Sequence, residues 1–173
     1  MKRVLCSLLL VAGAGLAQRY TSPAAETSAD FNGKRIAIKY HAPSLHGRDV
    51  FGPNGPIRKD PTYPVWRAGA NAATTLHTDA DLDINGLNVP AGDYTLFIVP
   101  DEGKWELIVN KQTGQWGLAY NKSMDLGRVP MNMSKPEAPI ETFKISLTKT
   151  GPEKGDLTME WAEYVATAPF TVK

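Results

Sequence analysis

The chain has 173 residues, room for one domain with a real core, and its formal net charge is +1. That balance excludes a nucleic-acid binder working through general electrostatics, since no excess of cations stands ready to displace counterions. Nor does any basic run suit an anionic membrane surface. Thirteen prolines and fifteen glycines favour many short strands joined by turns over long helices.

Residues 1–17 read as a signal peptide. Lys2 and Arg3 form a positive start, Val4 to Ala12 an apolar core, and Gly15-Leu16-Ala17 a small-x-small cleavage site before Gln18. The apolar run is too short to span a bilayer stably. Cys6 lies within it and is the one cysteine, so the mature chain has no thiol for a disulfide, a nucleophile or a metal. Residues 18–32 are polar, rich in Ser, Thr and Ala, and without a period. They are expected to form a flexible lead-in, with the folded domain covering residues 33–173.

Ile36, Ile38 and Tyr40 alternate with Arg35 and Lys39, which predicts a strand with one apolar side. Ala42 to Asn71 is dense in glycine and proline and has no sustained period. A segment that long is no ordinary connection; it carries function or folds over a core. Leu82-Asp83-Ile84 and Leu87-Asn88-Val89 flank Asn85-Gly86, the signature of a hairpin with a type I′ turn. After a turn at Pro90 to Asp93, Tyr94 to Val99 reads as a strand buried on both faces. Trp105, Leu107 and Val109 then alternate with charged residues, and these strands are expected to form a meander in the centre of a sheet.

Thr113 to Asp125 is the best helix candidate, weakened by Gly114 and Gly117. Val129, Met131 and Met133 alternate around Pro130, which lacks a donor and so predicts an edge strand. Phe143, Ile145 and Leu147, then Leu157, Met159 and Trp161, then Phe170 and Val172, mark the last strands. Eight or nine strands at this spacing predict an all-β fold, a single antiparallel β-sandwich with jelly-roll-like connectivity. Two sheets are required because one alone would leave its apolar side in water.

Three segments carry a resemblance: Tyr40 to Arg48 with Phe51-Gly52; Val65-Trp66-Arg67-Ala68-Gly69-Ala70-Asn71 running to Thr74; and Asn110-Lys111 with Gln115-Trp116-Gly117. Together with the Pro90 to Tyr94 turn they resemble the bacterial domain-of-unknown-function 2911 family, over almost all of the mature chain. The resemblance implies a one-domain exported β protein and no particular activity. Family members often carry Glu after the motif Asn, where this chain has Ala72, so no acid is expected to act there. The histidines of the first segment read as local variation.

Arg48, Arg67, Asn71, Asn110, Lys111 and Gln115 sit in these motifs beside Trp66 and Trp116. Arg offers a planar fork to a carboxylate or phosphate, amides offer paired donors and acceptors, and indoles stack on sugar or aromatic rings. The eight residues are therefore the candidate ligand site, formed by the Ala42 to Asn71 loop against Asn110 to Gly117. The structural alternative has the arginines pairing with acids such as Asp49 to pin the loop, and the indoles plugging the sandwich end.

Catalytic and metal signals are thin. Ser44 lies in Pro-Ser-Leu-His, which is not a nucleophile elbow. Paired carboxylates could come from Asp79, Asp81, Asp83, Asp101 and Glu102, but most of these flank turns, where Asp bonds locally, and the 79, 81, 83 series reads as a solvated strand face. His41, His46 and His77 lack the short spacing of a metal site. The sequence thus points to a binding module for a small polar ligand or glycan, exported to the periplasm or medium. No cofactor, metal or nucleic-acid partner is expected. A glycan- or ester-directed hydrolase and an envelope interaction protein without a ligand are the alternatives.

Overall fold

The computed structural model describes residues 21–101 and 103–173. The leader expected at residues 1–17 lies outside them. Twelve strands run through the described residues: β1 (Ala24–Phe31), β2 (Lys34–His41), β3 (Thr74–Thr78), β4 (Leu82–Ile84), β5 (Leu87–Val89), β6 (Gly92–Asp101), β7 (Lys104–Asn110), β8 (Asp125–Pro130), β9 (Asn132–Ser134), β10 (Ile140–Lys149), β11 (Lys154–Ala162) and β12 (Tyr164–Val172). All pair antiparallel, in two sheets ordered β1-β2-β3-β6-β7-β8 and β10-β11-β12-β4-β5, with β9 on β12. The expected β-sandwich is what the chain forms.

Period-two patterning explains the core. Ile36, Ile38, Leu76, Leu96, Ile98, Trp105 and Leu107 face inward from the first sheet. Phe143, Ile145, Leu157, Met159, Trp161 and Phe170 meet them from the second. Strand β6 is buried on both faces, as its apolar run predicts. Its outward Phe97 packs with Val65, Ala73 and Ile108 under a separate cover that includes Tyr120. Asn85 and Gly86 have φ of +46° and +90°, the left-handed pair that the Asn-Gly turn requires. Strand β8 is an edge strand ending at Pro130, as expected. At Met131 the chain leaves the first sheet and enters the second as β9.

Three expectations are corrected. Residues 24–31 are not a flexible lead-in but strand β1, paired with β2 from Ala24↔His41 to Phe31↔Lys34. Its inward positions Ala25, Thr27 and Ala29 are small and only half-buried, so the hydrophobic signal is faint. The turn was nonetheless legible: Asn32-Gly33 have φ of +55° and +81°, the same device as Asn85-Gly86. Thr113 to Met124 forms no helix beyond a 3₁₀ turn at Lys122–Met124, and Asp125 opens β8. The meander consists of β6, β7 and β8, while the β4–β5 hairpin crosses to the edge of the other sheet.

Candidate functional site

The 42–73 connection folds back over one end of the sandwich. Strand β3 stops pairing with β6 at Thr74↔Leu96, and Trp66 takes up the ladder beyond that point. It exchanges two 2.8 Å backbone hydrogen bonds with Ile98. The Trp66 ring stacks on Trp161 with centroids 5.3 Å apart and 14° between planes, and meets the Phe143 ring edge at 5.1 Å. Val50 and Ile57 bury in the same core, while Val65 packs on the opposite face with Phe97, and together they hold the loop down. Gly69 passes so close to β2 that an added Cβ would stand 2.9 Å from the His41 carbonyl oxygen, which leaves glycine as the fit.

Beneath this loop lies a cavity of about 190 Å³, lined among others by Ser44, His46, Arg48, Asp60, Trp66 and Arg67, with Trp161 on the second sheet. Arg67 donates from Nη1 to Asp60 Oδ2 at 2.6 Å, and the two side chains are 19% and 6% exposed. Asp60 Oδ1 accepts from the Thr62 amide at 3.0 Å and lies 2.7 Å from the Thr62 hydroxyl, whose single proton it shares with Val65 O at 2.7 Å. Arg67 is less engaged. Among the described residues its guanidinium makes that one hydrogen bond, and its Nε is buried without an acceptor. That Nε–H has lost water without gaining an acceptor, and Gly117 packs against it. Arg48, on the cavity's outer lip, donates from Nε to Leu45 O at 2.8 Å and from Nη2 to Ser44 O at 2.7 Å.

The expected eight-residue site is divided. Arg48, Trp66 and Arg67 share the cavity. Asn71, Gln115 and Trp116 lie with the 115–117 segment, which crosses Arg67 on its other side. There the Gly117 amide donates to Asn71 O at 3.2 Å, and Trp116 bridges to Ala72. A Cβ on Gly117 would fall 2.5 Å from Asn71 O and would overlap the Arg67 stem, so glycine is what lets Arg67 pass beneath. Both amide atoms of Gln115 are buried without partners, while the Trp116 ring is 59% exposed. Lys111 is exposed and is not among the residues lining this cavity.

Asn110 is corrected outright. It is fully buried, and its amide donates to Asn121 O at 2.9 Å and Asp125 Oδ1 at 2.8 Å while its oxygen accepts from the Gln112 amide at 3.0 Å. With its bonding capacity consumed inside the fold, it anchors the 111–124 segment to the sheet. Asp125 also accepts from Tyr120 at 2.7 Å and from Arg128 at 3.1 Å. Burial, then the hydrogen bond to Asp125, pushes the Tyr120 hydroxyl up to about 12. The arginine-to-acid pairing foreseen for the loop does occur, but with Asp60. Asp49 instead accepts from the Gly52 amide at 2.8 Å in a local turn.

Sequence reasoning missed Asp60 and Trp161 as members of the cavity. Asp60-Pro61-Thr62 is an Asx-turn pattern that could have flagged a fixed carboxylate near Arg67. Trp161 carried no signal beyond its place in a strand.

The family model described as Protein of unknown function (DUF2911) matches residues 22–170. The chain belongs to this family. No curated protein and no solved structure matches it. The DUF2911 match begins just before β1 and ends within β12, so it takes in the strand that replaces the expected lead-in. The Trp-Arg-x-Gly-Ala-Asn motif gains a physical account in this DUF2911 domain: a core stack, a half-compensated cation, a close backbone approach, and a left-handed Asn71 at φ +59°.

The DUF2911 domain's histidines fall in three places. His46 lines the cavity, and His41 lines a shallow groove of about 560 Å³ on the outer side of the first sheet. His77 stands between two carboxylates, with Nδ1 2.8 Å from Asp93 and Nε2 3.0 Å from Asp79. A neutral imidazole has one N–H and can satisfy one of them, whereas the imidazolium donates to both. Hydrogen bonds to Asp93 first and Asp79 second therefore raise the His77 pKa above its ordinary 6.5. Asp79 falls below its ordinary 3.8, through the Arg35 amide and then His77.

The sign follows from linkage. A raised histidine contributes stability that is complete below 6.5 and lost as pH climbs through the folded value. A lowered aspartate contributes stability present above 3.8 and lost as pH falls through its folded value. The cluster therefore stabilises most between these limits. In thermal melts, His77→Gln is expected to lower the midpoint at pH 5 and to differ less from the unsubstituted protein at pH 8. An equal difference at both pH values would refute the assignment.

Proposed function

We propose that this domain is a binding module for a small polar ligand or glycan unit, seated in the cavity under the 42–71 loop. The observation that carries the reading is Arg67, a cation in the cavity wall that Asp60 holds through one nitrogen. Trp66 and Trp161 supply the apolar part of the lining. A concave site with apolar walls and a few fixed polar groups is the usual form of a small-molecule site. On this reading the leader at residues 1–17 delivers the module to the periplasm or the medium.

Filling the cavity tests the proposal. Ala70 lines it and is half-buried, so Ala70→Trp would occupy the space without touching Arg67 chemistry. A ligand present at a hundred times its Kd adds about 2.7 kcal/mol of stability, a rise of about 5–10 °C for a domain of this size. Screened by thermal shift against a diverse library of small polar compounds and saccharides, the protein is expected to show such hits. Folded Ala70→Trp, checked by circular dichroism, is expected to lose them. Hits that survive the substitution, or a library that yields none, would overturn the proposal.

A further inference from the structure

The outer face of the first sheet is covered over one half and bare over the other. The 111–124 segment lies over β6 and β7, tied down by the Thr95 hydroxyl, which donates to Gln112 O at 2.7 Å, and by the buried Asn110. That cover stops short of β1, β2 and β3, whose outward residues line the groove of about 560 Å³. Alanines at positions 24, 72 and 73 keep its floor low.

Lys39 and His41 enter the groove from β2, and Thr75 from β3. Strand alternation sets them opposite Ile38, Tyr40 and Leu76, which are buried in the core. Lys39 stands in register between Glu26 and Thr75. Glu26 is the acid placed to pair with it, but that carboxylate is bonded to Arg35 instead. Among the described residues, the side chains of Lys39, His41 and Thr75 have no hydrogen-bond or ion-pair partner. The lining therefore carries one positive charge that the fold does not balance, beside two polar groups with unused bonding capacity.

Trp116 marks one margin of the groove. It forms an isolated antiparallel bridge with Ala72, a lining residue, and residues paired in this way project to the same side. Two hydrogen bonds fix its segment, from the Ala119 amide to Trp116 O at 2.8 Å and from the Gly117 amide to Asn71 O at 3.2 Å. Its ring is exposed, so a firmly mounted indole is open to stack on a sugar ring.

Charge and shape select the class of ligand. An unbalanced ammonium calls for an anion, and a shallow groove larger than the cavity under the loop suits a length of chain. An extended peptide would need a free strand edge, whereas this floor is sheet face with its backbone paired between β1, β2 and β3. A net charge of +1 disfavours nucleic acid. We propose that the groove is a second binding site, for a uronate-bearing glycan, with a carboxylate on Lys39, hydroxyls on His41 and Thr75, and a ring face on Trp116. It goes beyond the cavity reading and does not depend on it.

The test is titration calorimetry at low, matched ionic strength with trigalacturonate, trimannuronate and a hyaluronan tetrasaccharide. Each is set against its own methyl ester, which keeps the sugar skeleton and removes the charge. Saturable heat is expected from at least one acid and from none of the esters. Lys39→Gln is expected to weaken that acid about fivefold or more, the usual size of one hydrogen bond. Trp116→Ala is expected to weaken it about threefold or more through lost stacking. Lys144→Gln makes the same charge change on the second sheet, where Lys144 pairs with Glu160, and is expected to leave binding unchanged.

Heat from acids and esters alike, or from none of the acids, would overturn the proposal. So would an acid whose affinity ignores Lys39→Gln or falls equally with Lys144→Gln. Hexaglutamate binding as tightly as the best uronate, or indifference to Trp116→Ala, would remove the glycan assignment. Should either groove variant fail to fold by circular dichroism, Ala24→Trp fills the groove from an exposed position and must abolish binding. Failure here leaves the cavity reading standing, because Ala70 lines the cavity and not the groove. Ligands that respond to Lys39→Gln belong to the groove, and those that respond to Ala70→Trp belong to the cavity.

Discussion

Trp66→Ala is expected to cost the domain about 3–5 kcal/mol, the range for truncating a buried large aromatic, and to lower the thermal midpoint by about 6–20 °C. The side chain is 3% exposed and lies against Trp161 and Phe143, so its removal opens the junction between the loop and both sheets. The backbone cannot collapse into the gap easily, because Trp66 is pinned to Ile98 by two hydrogen bonds. Trp66→Phe is expected to recover part of the loss by keeping an apolar ring there. Chemical denaturation of both variants measures the difference. A cost below about 1 kcal/mol for the alanine variant would mean that the loop end is not part of the core.

The second large effect concerns the ion pair. Asp60→Ala removes one partner of a pair whose carboxylate is 6% exposed and leaves the half-buried Arg67 charge without it. Breaking such a pair costs about 3–5 kcal/mol, far more than an exposed ion pair, for which the figure is about 0–1. The Thr62 amide loses its acceptor with it, while the Thr62 hydroxyl keeps Val65 O at 2.7 Å. Combining Asp60→Ala with Arg67→Met is expected to restore stability relative to Asp60→Ala alone, because the uncompensated charge goes as well. Urea denaturation of the single and double variants reads this coupling directly. A double variant as unstable as the sum of the two singles would show that the groups do not act as a pair.

Asp60 has two consequences at once. Its contact with Arg67 holds the guanidinium in place, and its bond to the Thr62 amide fixes the turn of the loop. The stability of the loop and the placement of Arg67 therefore have a common origin. Mutations at Asp60 are expected to disturb both folding and ligand affinity, whereas Lys111, exposed and not among the residues lining the cavity, serves as a neutral reference.

The amino-acid order by itself determined the two-sheet sandwich, because alternation of apolar and polar residues is a local property that any strand expresses wherever it lies. Ile36, Ile38 and Tyr40, or Leu157, Met159 and Trp161, show which side is buried without reference to their partners. The Asn85-Gly86 turn and the edge position of the Pro130 strand are equally local. Strand β1 escaped because alanines at inward positions give almost no hydrophobic contrast, although Asn32-Gly33 marked its turn. The site was legible only as a set of residue types. Which members share a cavity depends on contacts between segments far apart in the chain, and no pattern along the chain encodes them. Asn110 was consumed by Asn121 and Asp125, Arg67 found Asp60 instead of Asp49, and Trp161 arrived from the opposite sheet. Hydrophobic period fixes which way a side chain faces; only three-dimensional packing decides what it meets there.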